Sequence, residues 1–448
     1  MPDGMWAIIG VVVFLFQVLG VLSAVRAVFT ARTSQGAIAW GLALVTWPVV
    51  TVPLYWIFGR NKFRGYVSAR RERDLSLLGI VDDIAPRVAP FIVDLPDQFG
   101  EARRFGEARV LQELAQLPFS RRNDTELLVD GEATFDAIFA AIDGAEDYVL
   151  AEFFIVHDDL LGREFKDRLI RQARAGRRVY LLYDEVGSTK MTRAYLADLT
   201  AAGVHASGMK TTRGLGNRFQ LNFRNHRKIV VADGKVALIG GHNVGDEYVG
   251  RHPRLTPWRD THMKIEGPAV LAAQLAFVED WHWATQSFPE VAWDPHPSPT
   301  GDKIIFIFPS GPADEHDTCG LFFTHAINCA TQRIWIASPY FVPDEGIISA
   351  LKLAAMRGVD VRVLIPGLAD KWFIKAAAMS YVEQVAAAGV KMYEYGRGFM
   401  HQKVVLIDDE ASTIGTANFD NRSFRLNFEI SVITIDAEFA SETEAMLE

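Results

Sequence analysis

His226-Arg-Lys228-Ile-Val-Val-Ala-Asp233 and His401-Gln-Lys403-Val-Val-Leu-Ile-Asp408 are one motif written twice. Each is followed by an asparagine at the same distance, in Gly240-Gly-His-Asn243 and Gly415-Thr-Ala-Asn418. The matched His, Lys, Asp and Asn positions all lie 175 residues apart, with no insertion or deletion inside the motif. A His and a Lys two apart on a strand point to one face. The apolar run then reaches Asp233-Gly234, a hairpin turn signal, and a second strand over 236–239 carries Asn243 back toward the histidine end. Each copy is therefore expected to present His, Lys and Asn together at one edge.

The repetition extends outward. Apolar runs of buried-strand type cover 148–156 in the first copy and 334–342 in the second. Each leads into a helical pattern (164–175 and 347–357), a capping glycine (Gly176 and Gly358) and a further strand (179–184 and 361–365). Alternating strands and helices predict an α/β sandwich with a mostly parallel sheet, and two copies predict pseudo-twofold symmetry. A run with proline at every second position, 295–299, suits neither helix nor paired strand and marks the join. The organisation read from the chain is an anchor at 1–60, a basic juxtamembrane and linker segment at 61–117, a first repeat at 118–295 and a second at 296–448.

Two histidines from two halves suit substitution at phosphorus. One neutral imidazole attacks, and the other, protonated, donates to the leaving alkoxide and later serves as base for the acceptor alcohol. Lys228, Lys403, Asn243 and Asn418 can bind the non-bridging oxygens, where charge collects in the transition state. The sequence offers no separate carboxylate cluster of metal-binding type, so neither a metal nor another cofactor is expected. Asp233 and Asp408 belong to the motif but sit at turns, where Asp is favoured for backbone reasons.

This paired pattern resembles the phospholipase D superfamily. Asp246-Glu-Tyr248, Trp258-Arg-Asp-Thr-His262, Ser338-Pro-Tyr-Phe-Val-Pro343 and Asn421-Arg-Ser-Phe-Arg-Leu-Asn-Phe-Glu429 are similar to the bacterial cardiolipin synthase family in particular. The resemblance implies two phospholipase D-like α/β repeats and catalysis by His226, Lys228, Asp233, His401, Lys403 and Asp408. It also implies transfer of a phosphatidyl group between two phosphatidylglycerol molecules through a phosphohistidine, with release of glycerol. His226 is the implied nucleophile and His401 the implied acid. Aligning the segments that follow places Asp260 opposite Glu429, as carboxylates to orient the histidines. A hydrolytic phospholipase D, or a transferase using another lipid such as phosphatidylethanolamine, would use the same residues. The second copy's last helix, from about Ala437, stops at Glu448, so the closing segment of the family is expected to be missing.

Ahead of the repeats, 8–25 and 36–58 carry no charge and are long enough to span a bilayer as a transmembrane helical hairpin. Pro48 and Pro53 are expected to bend the second span. Arg26 and Arg32 lie between the spans, and Arg60, Lys62, Arg64, Arg70, Arg71 and Arg73 follow them. The heavier cationic flank predicts a multi-pass protein of the bacterial inner membrane with its catalytic part facing the cytoplasm. The acid-free run from Lys210 through Arg213, Arg218, Arg224, Arg227 and Lys228 reads as a rim that attracts anionic headgroups. A net charge of −9 argues against a nucleic-acid partner. Cys319 and Cys329 form no metal or disulfide pattern, and assembly into a homo-oligomer is compatible with the chain. The other histidines, His242 and His262 among them, have no repeated partner and read as structural.

Overall fold

A computed structural model describes residues 3–31, 33–59, 84–95, 102–209, 222–370 and 372–448. The chain forms two compact units, residues 1–71 with 210–223 and residues 72–209 with 224–448.

In the larger unit the Val-, Ile- and Leu-rich runs pair as strands, where β-branched side chains pack well on a pleated surface. The first copy supplies β1 (Ser120–Val129), β2 (Tyr148–Phe153), β3 (Arg178–Tyr183), β4 (His205–Gly208), β5 (Ile229–Ala232), β6 (Val236–Gly240) and β7 (Thr261–Glu266). The second supplies β8 (Lys303–Ser310), β9 (Arg333–Ala337), β10 (Asp360–Pro366), β11 (Lys391–Tyr395), β12 (Val404–Ile407), β13 (Ala411–Gly415) and β14 (Asn427–Ile435). Their order across one sheet is β11-β10-β9-β12-β13-β14-β8-β1-β7-β6-β5-β2-β3-β4. Replacing each strand by its repeat mate reverses this order onto itself, so the pseudo-twofold runs between β1 and β8. Those two strands pair antiparallel, with Ser120 opposite Ile305. The proline-rich join feeds directly into β8, and the copies are halves of one sheet.

The sheet is not mostly parallel. Along this path, parallel pairing is confined to β2-β3-β4 and β9-β10-β11. Helices Leu160–Arg174 and Glu345–Met356 make the crossovers that parallel neighbours need. The hairpins at Asp233-Gly234 and Asp408 force antiparallel pairing in the centre. Helices bury both faces, on clusters that include Phe135, Ile138 and Phe165 in one half and Phe322, Phe323 and Ile347 in the other.

The smaller unit begins with α1 (Asp3–Thr30), whose Gly4–Thr30 portion is long and apolar enough to cross a membrane. The expected second span is not one helix. It breaks at Trp47 (φ −132°, ψ 57°) into α2 (Ser34–Thr46) and α3 (Pro48–Phe58). Pro48 has no N–H to continue the ladder and disfavours helical backbone in the residue before it. The chain then doubles back. The rings of Trp40 and Tyr55 lie 5.3 Å apart, whereas one continuous helix would separate them by about 22 Å. At 13 and 11 residues, α2 and α3 extend only about 20 and 16 Å against a hydrocarbon core of about 30 Å. They pack on the second half of α1, burying Ala24, Ala27, Leu44, Val52 and Tyr55 together. Residues 6–15 of α1 stay exposed.

Candidate active site

Each motif is stitched to the other copy before its histidine appears. Arg224–Asn225 pairs parallel with Asn427 and Phe428 at the start of β14, and the His226 amide donates to Phe428 O at 2.9 Å. Phe399–Met400 likewise pairs with Trp258–Arg259, and the His401 amide donates to Arg259 O at 2.7 Å. The strands expected to carry His and Lys start only at Ile229 and Val404, so both side chains sit in the segment leading in. Both histidines line a single cavity of about 770 Å³, together with Asn243, Asn418, Phe154, Tyr248, Trp258 and Tyr340.

The exchange sets the carboxylates. His226 Nδ1 lies 2.8 Å from Glu429 Oε2, and His401 Nδ1 lies 2.6 Å from Asp260 Oδ2. Each acid therefore orients the histidine of the opposite copy. Both carboxylates are fully buried. Burial alone would raise Asp260, but Lys403 and His401 outweigh it and hold the carboxyl below its usual range. His226 and Lys228 do the same against the burial of Glu429. Glu429 also accepts from Thr416 Oγ1 at 2.6 Å and Asn427 Nδ2 at 3.0 Å. Burial lowers His226, with Glu429 working against it. Burial and the charge of Lys403 push His401 down to about 3. With each Nδ1 turned to a carboxylate, Nε2 is the nitrogen left for chemistry.

The lysines lie behind the histidines. Lys228 Nζ donates to His226 O at 2.6 Å, and Lys403 Nζ donates to His401 O and stands 2.8 Å from His401 Nδ1. Burial drives Lys228 down to about 7 and Lys403 to about 8. Asn243 is fixed by accepting from the Ile155 amide and donating to Tyr248 Oη, at 3.0 and 2.8 Å. Asn418 lines the cavity, and its Oδ1 is buried without a hydrogen-bond partner.

Several expectations need correction. Asp233 and Asp408 do not reach the cavity. Asp233 accepts from the amides of Glu146, Asp147 and Tyr148, each at 2.8 Å, and Asp408 accepts from those of Thr331, Gln332 and Arg333. They sit at the far turns of their strands, roughly 20 Å from the histidines at about 3.3 Å per residue, and tie the start of β2 and β9 to the hairpin. Arg227 and Lys228 are buried and form no rim; Arg227 donates to Asp280 at 2.8 Å and to Glu429 O at 3.1 Å, bracing the two copies. Lys210, Arg213 and Arg218 lie outside the described residues, as do Arg32, Arg60, Lys62, Arg64, Arg70, Arg71 and Arg73. Beside the first motif, the Gly241 amide donates to Thr261 O at 2.9 Å. Gly241 is a steric need: a Cβ there would collide with the Asp260 carboxylate, where the second copy has Thr416 reaching the longer Glu429.

Thr416, Asn427 and Tyr248 are site residues that reading the sequence missed. The signal for Thr416 was present, since it occupies the position matching Gly241 beside the motif. One group of metal-ligand type does occur among the described residues, His157, Asp159 and Glu247. Both Asp159 oxygens already accept from the Gly162 and Asp246 amides, which leaves the group a poor fit for an ion.

Comparison with known proteins places the chain in a family. Residues 138–253 and 323–448 match the family described as cardiolipin synthase, PLD-like domain. The chain belongs to that family. It is 48% identical to cardiolipin synthase A of Pseudomonas putida over 438 residues, covering 98% of this chain and 90% of the relative. Cardiolipin synthase A of Pseudomonas aeruginosa is 46% identical over 442 residues, with 98% and 89% covered. A phosphatidylserine synthase from Haemophilus influenzae shares the fold at a TM-score of 0.55 and 14% identity, covering 76% of this chain and 90% of that one. This family member accordingly has the mixed α/β fold of the phospholipase D superfamily, doubled within one chain.

Proposed function

We propose that this chain is a phosphatidyltransferase that makes cardiolipin and glycerol from two molecules of phosphatidylglycerol. The carrying observation is the pair of buried imidazoles in one cavity, each with Nδ1 on a carboxylate of the opposite copy. His226 Nε2 attacks the phosphorus, the bond to the glycerol oxygen breaks, and His401 gives that oxygen its proton. His401 then takes the proton of a second phosphatidylglycerol's hydroxyl, whose oxygen displaces His226 from phosphorus. Lys228, Lys403, Asn243 and Asn418 offset the charge on the equatorial oxygens. Burial and the charge of Lys403 disfavour the protonated His401 ring, and the phosphodiester anion supplies the opposite charge that favours it. The test is purified protein with phosphatidylglycerol in detergent micelles, where a four-chain lipid and free glycerol should form and His226→Ala should form neither. Phosphatidic acid as the sole lipid product would mean a hydrolase instead.

The protein associates with a membrane through its N-terminal apolar helix, and we place the catalytic unit at the cytoplasmic face of a bacterial inner membrane. One crossing by α1, with α2 and α3 dipping in and returning, accounts for the charges better than two crossings. It gathers Arg26, Arg32, Arg60, Lys62 and Arg64 on one side, as the bias of cytoplasmic loops requires. In a variant without its native cysteines, Gly4→Cys should react with an impermeant maleimide added outside intact spheroplasts, and Ser34→Cys should not. The reverse pattern would restore the two-span hairpin.

A further inference from the structure

The cavity shares a wall with the outer surface. Asp370, Ile374 and Ala377 line the cavity, and the last two lie on helix Trp372–Ala386. At about 100° per residue, Trp372, Ala376 and Met379 fall on the opposite face of that helix. All three are exposed, Trp372 at 81% and Met379 at 46%. Leu368, in the turn ahead of the helix, is 42% exposed. Farther along, the exposed positions become Ser380, Glu383 and Gln384. The outer face is therefore apolar where the helix begins and polar where it ends.

The first copy repeats the placement. Superposing Arg178 on Asp360, which open β3 and β10, makes Val186 the counterpart of Leu368 and Lys190 that of Trp372. Val186 is 49% exposed, and Lys190 lines the cavity. In both copies, then, the loop that leaves this strand reaches the cavity and holds an exposed apolar side chain. Single apolar residues on a surface are ordinary, but a cluster of them beside a binding cavity marks an interaction site. Its partner follows from the substrate. A phosphatidylglycerol molecule brings its phosphodiester to the histidines while its acyl chains stay out of water. The cavity therefore has to open onto the bilayer. An apolar rim gives up no hydrogen bonds on that contact, a tryptophan suits the headgroup level, and Lys190 attracts anionic headgroups.

We propose that Leu368, Trp372 and Met379, with Val186 of the first copy, form a lip that docks the cavity on the surface of a lipid bilayer. The lip rests on the reading of a membrane phospholipid as substrate, and it gives the phosphodiester a route to the histidines without its chains entering water.

The test uses the full-length protein, with Cys319→Ala and Cys329→Ala, in phosphatidylglycerol vesicles. Lipids carrying a nitroxide high on the acyl chain should quench an environment-sensitive fluorophore at Met379→Cys at least about twofold. They should hardly affect one at Lys235→Cys, on the far hairpin turn that also holds Asp233. Trp372→Asp together with Met379→Asp should cut cardiolipin formation from vesicles at least about tenfold. The same variant should change turnover of dihexanoyl phosphatidylglycerol, dissolved below its micelle concentration, by less than about twofold. An unquenched label at Met379→Cys, equal losses on both substrates, or unchanged activity on vesicles overturns the lip. A disulfide between two Met379→Cys chains without quenching assigns the face to a second copy of the chain instead. Unmodified protein that forms no cardiolipin from either substrate sinks the functional reading, while the quenching still decides the docking.

Discussion

The two halves of the catalytic unit carry the same motif in different surroundings. His226 leans on Phe154, with a long carboxylate that Thr416 and Asn427 also hold. His401 is walled by Trp258, Tyr248 and Phe399, with a shorter carboxylate and a lysine 2.8 Å from the same ring nitrogen. An identical His-Lys-Asn constellation therefore does not make identical histidines. The lever is the supporting residue that each half borrows from the other.

The widest separation between the halves should come from removing the rings themselves. His226→Ala and His401→Ala should each lose at least about 10³-fold in turnover. Only the protein that keeps His226 should yield a phosphohistidine peptide after acid-free quenching and mass spectrometry. A phosphorylated His401 would exchange the two roles. Next come the borrowed acids. Asp260→Asn and Glu429→Gln should each reduce kcat about 10²-fold or more, while circular dichroism stays native. The steric difference comes third. Gly241→Ala pushes its methyl into Asp260 and should cost about tenfold or more in kcat, whereas Thr416→Ala removes one hydrogen bond to Glu429 and should cost a few-fold.

The lysines sharpen the contrast through pH. Burial drives Lys228 down to about 7 and Lys403 to about 8, and only the charged forms attract phosphate. kcat/KM should therefore fall as pH rises above about 7. Lys228→Arg should move that limb to about 8, because a guanidinium stays charged and Lys403 becomes limiting. A limb that stays put would detach it from Lys228. The smallest effect on chemistry belongs to the turn carboxylates. Asp233→Ala should lower the melting temperature by several degrees, consistent with about 2–3 kcal/mol for amides left unsatisfied, with kcat nearly unchanged in the folded protein.

These outcomes also mark what the sequence could and could not disclose. Repetition exposed the histidines, lysines and asparagines, because chance does not hold four matched positions at one spacing. It also matched Asp260 to Glu429. It could not say which histidine each serves, since that depends on Arg224–Asn225 and Phe399–Met400 crossing to the other copy's strands. Asp233 and Asp408 were misread because sharing a motif says nothing about which end of a strand a side chain occupies. Arg227 read as part of a headgroup-attracting rim; its buried partner Asp280 is distant in sequence and becomes visible only when helix Val270–Thr285 packs against β5. The prolines foretold a disturbance after Trp47, but not that α3 would turn back on α2.

The borrowed carboxylates have a consequence for the order in which the protein becomes dangerous. Glu429 lies on β14, 203 residues downstream of the histidine it supports. A chain still emerging from the ribosome can have α1 in the bilayer and the whole first motif made, yet His226 lacks its acid until β14 of the second copy has been synthesised. Translation products that stop before β14 should therefore be inert toward lipid, however early α1 reaches the bilayer.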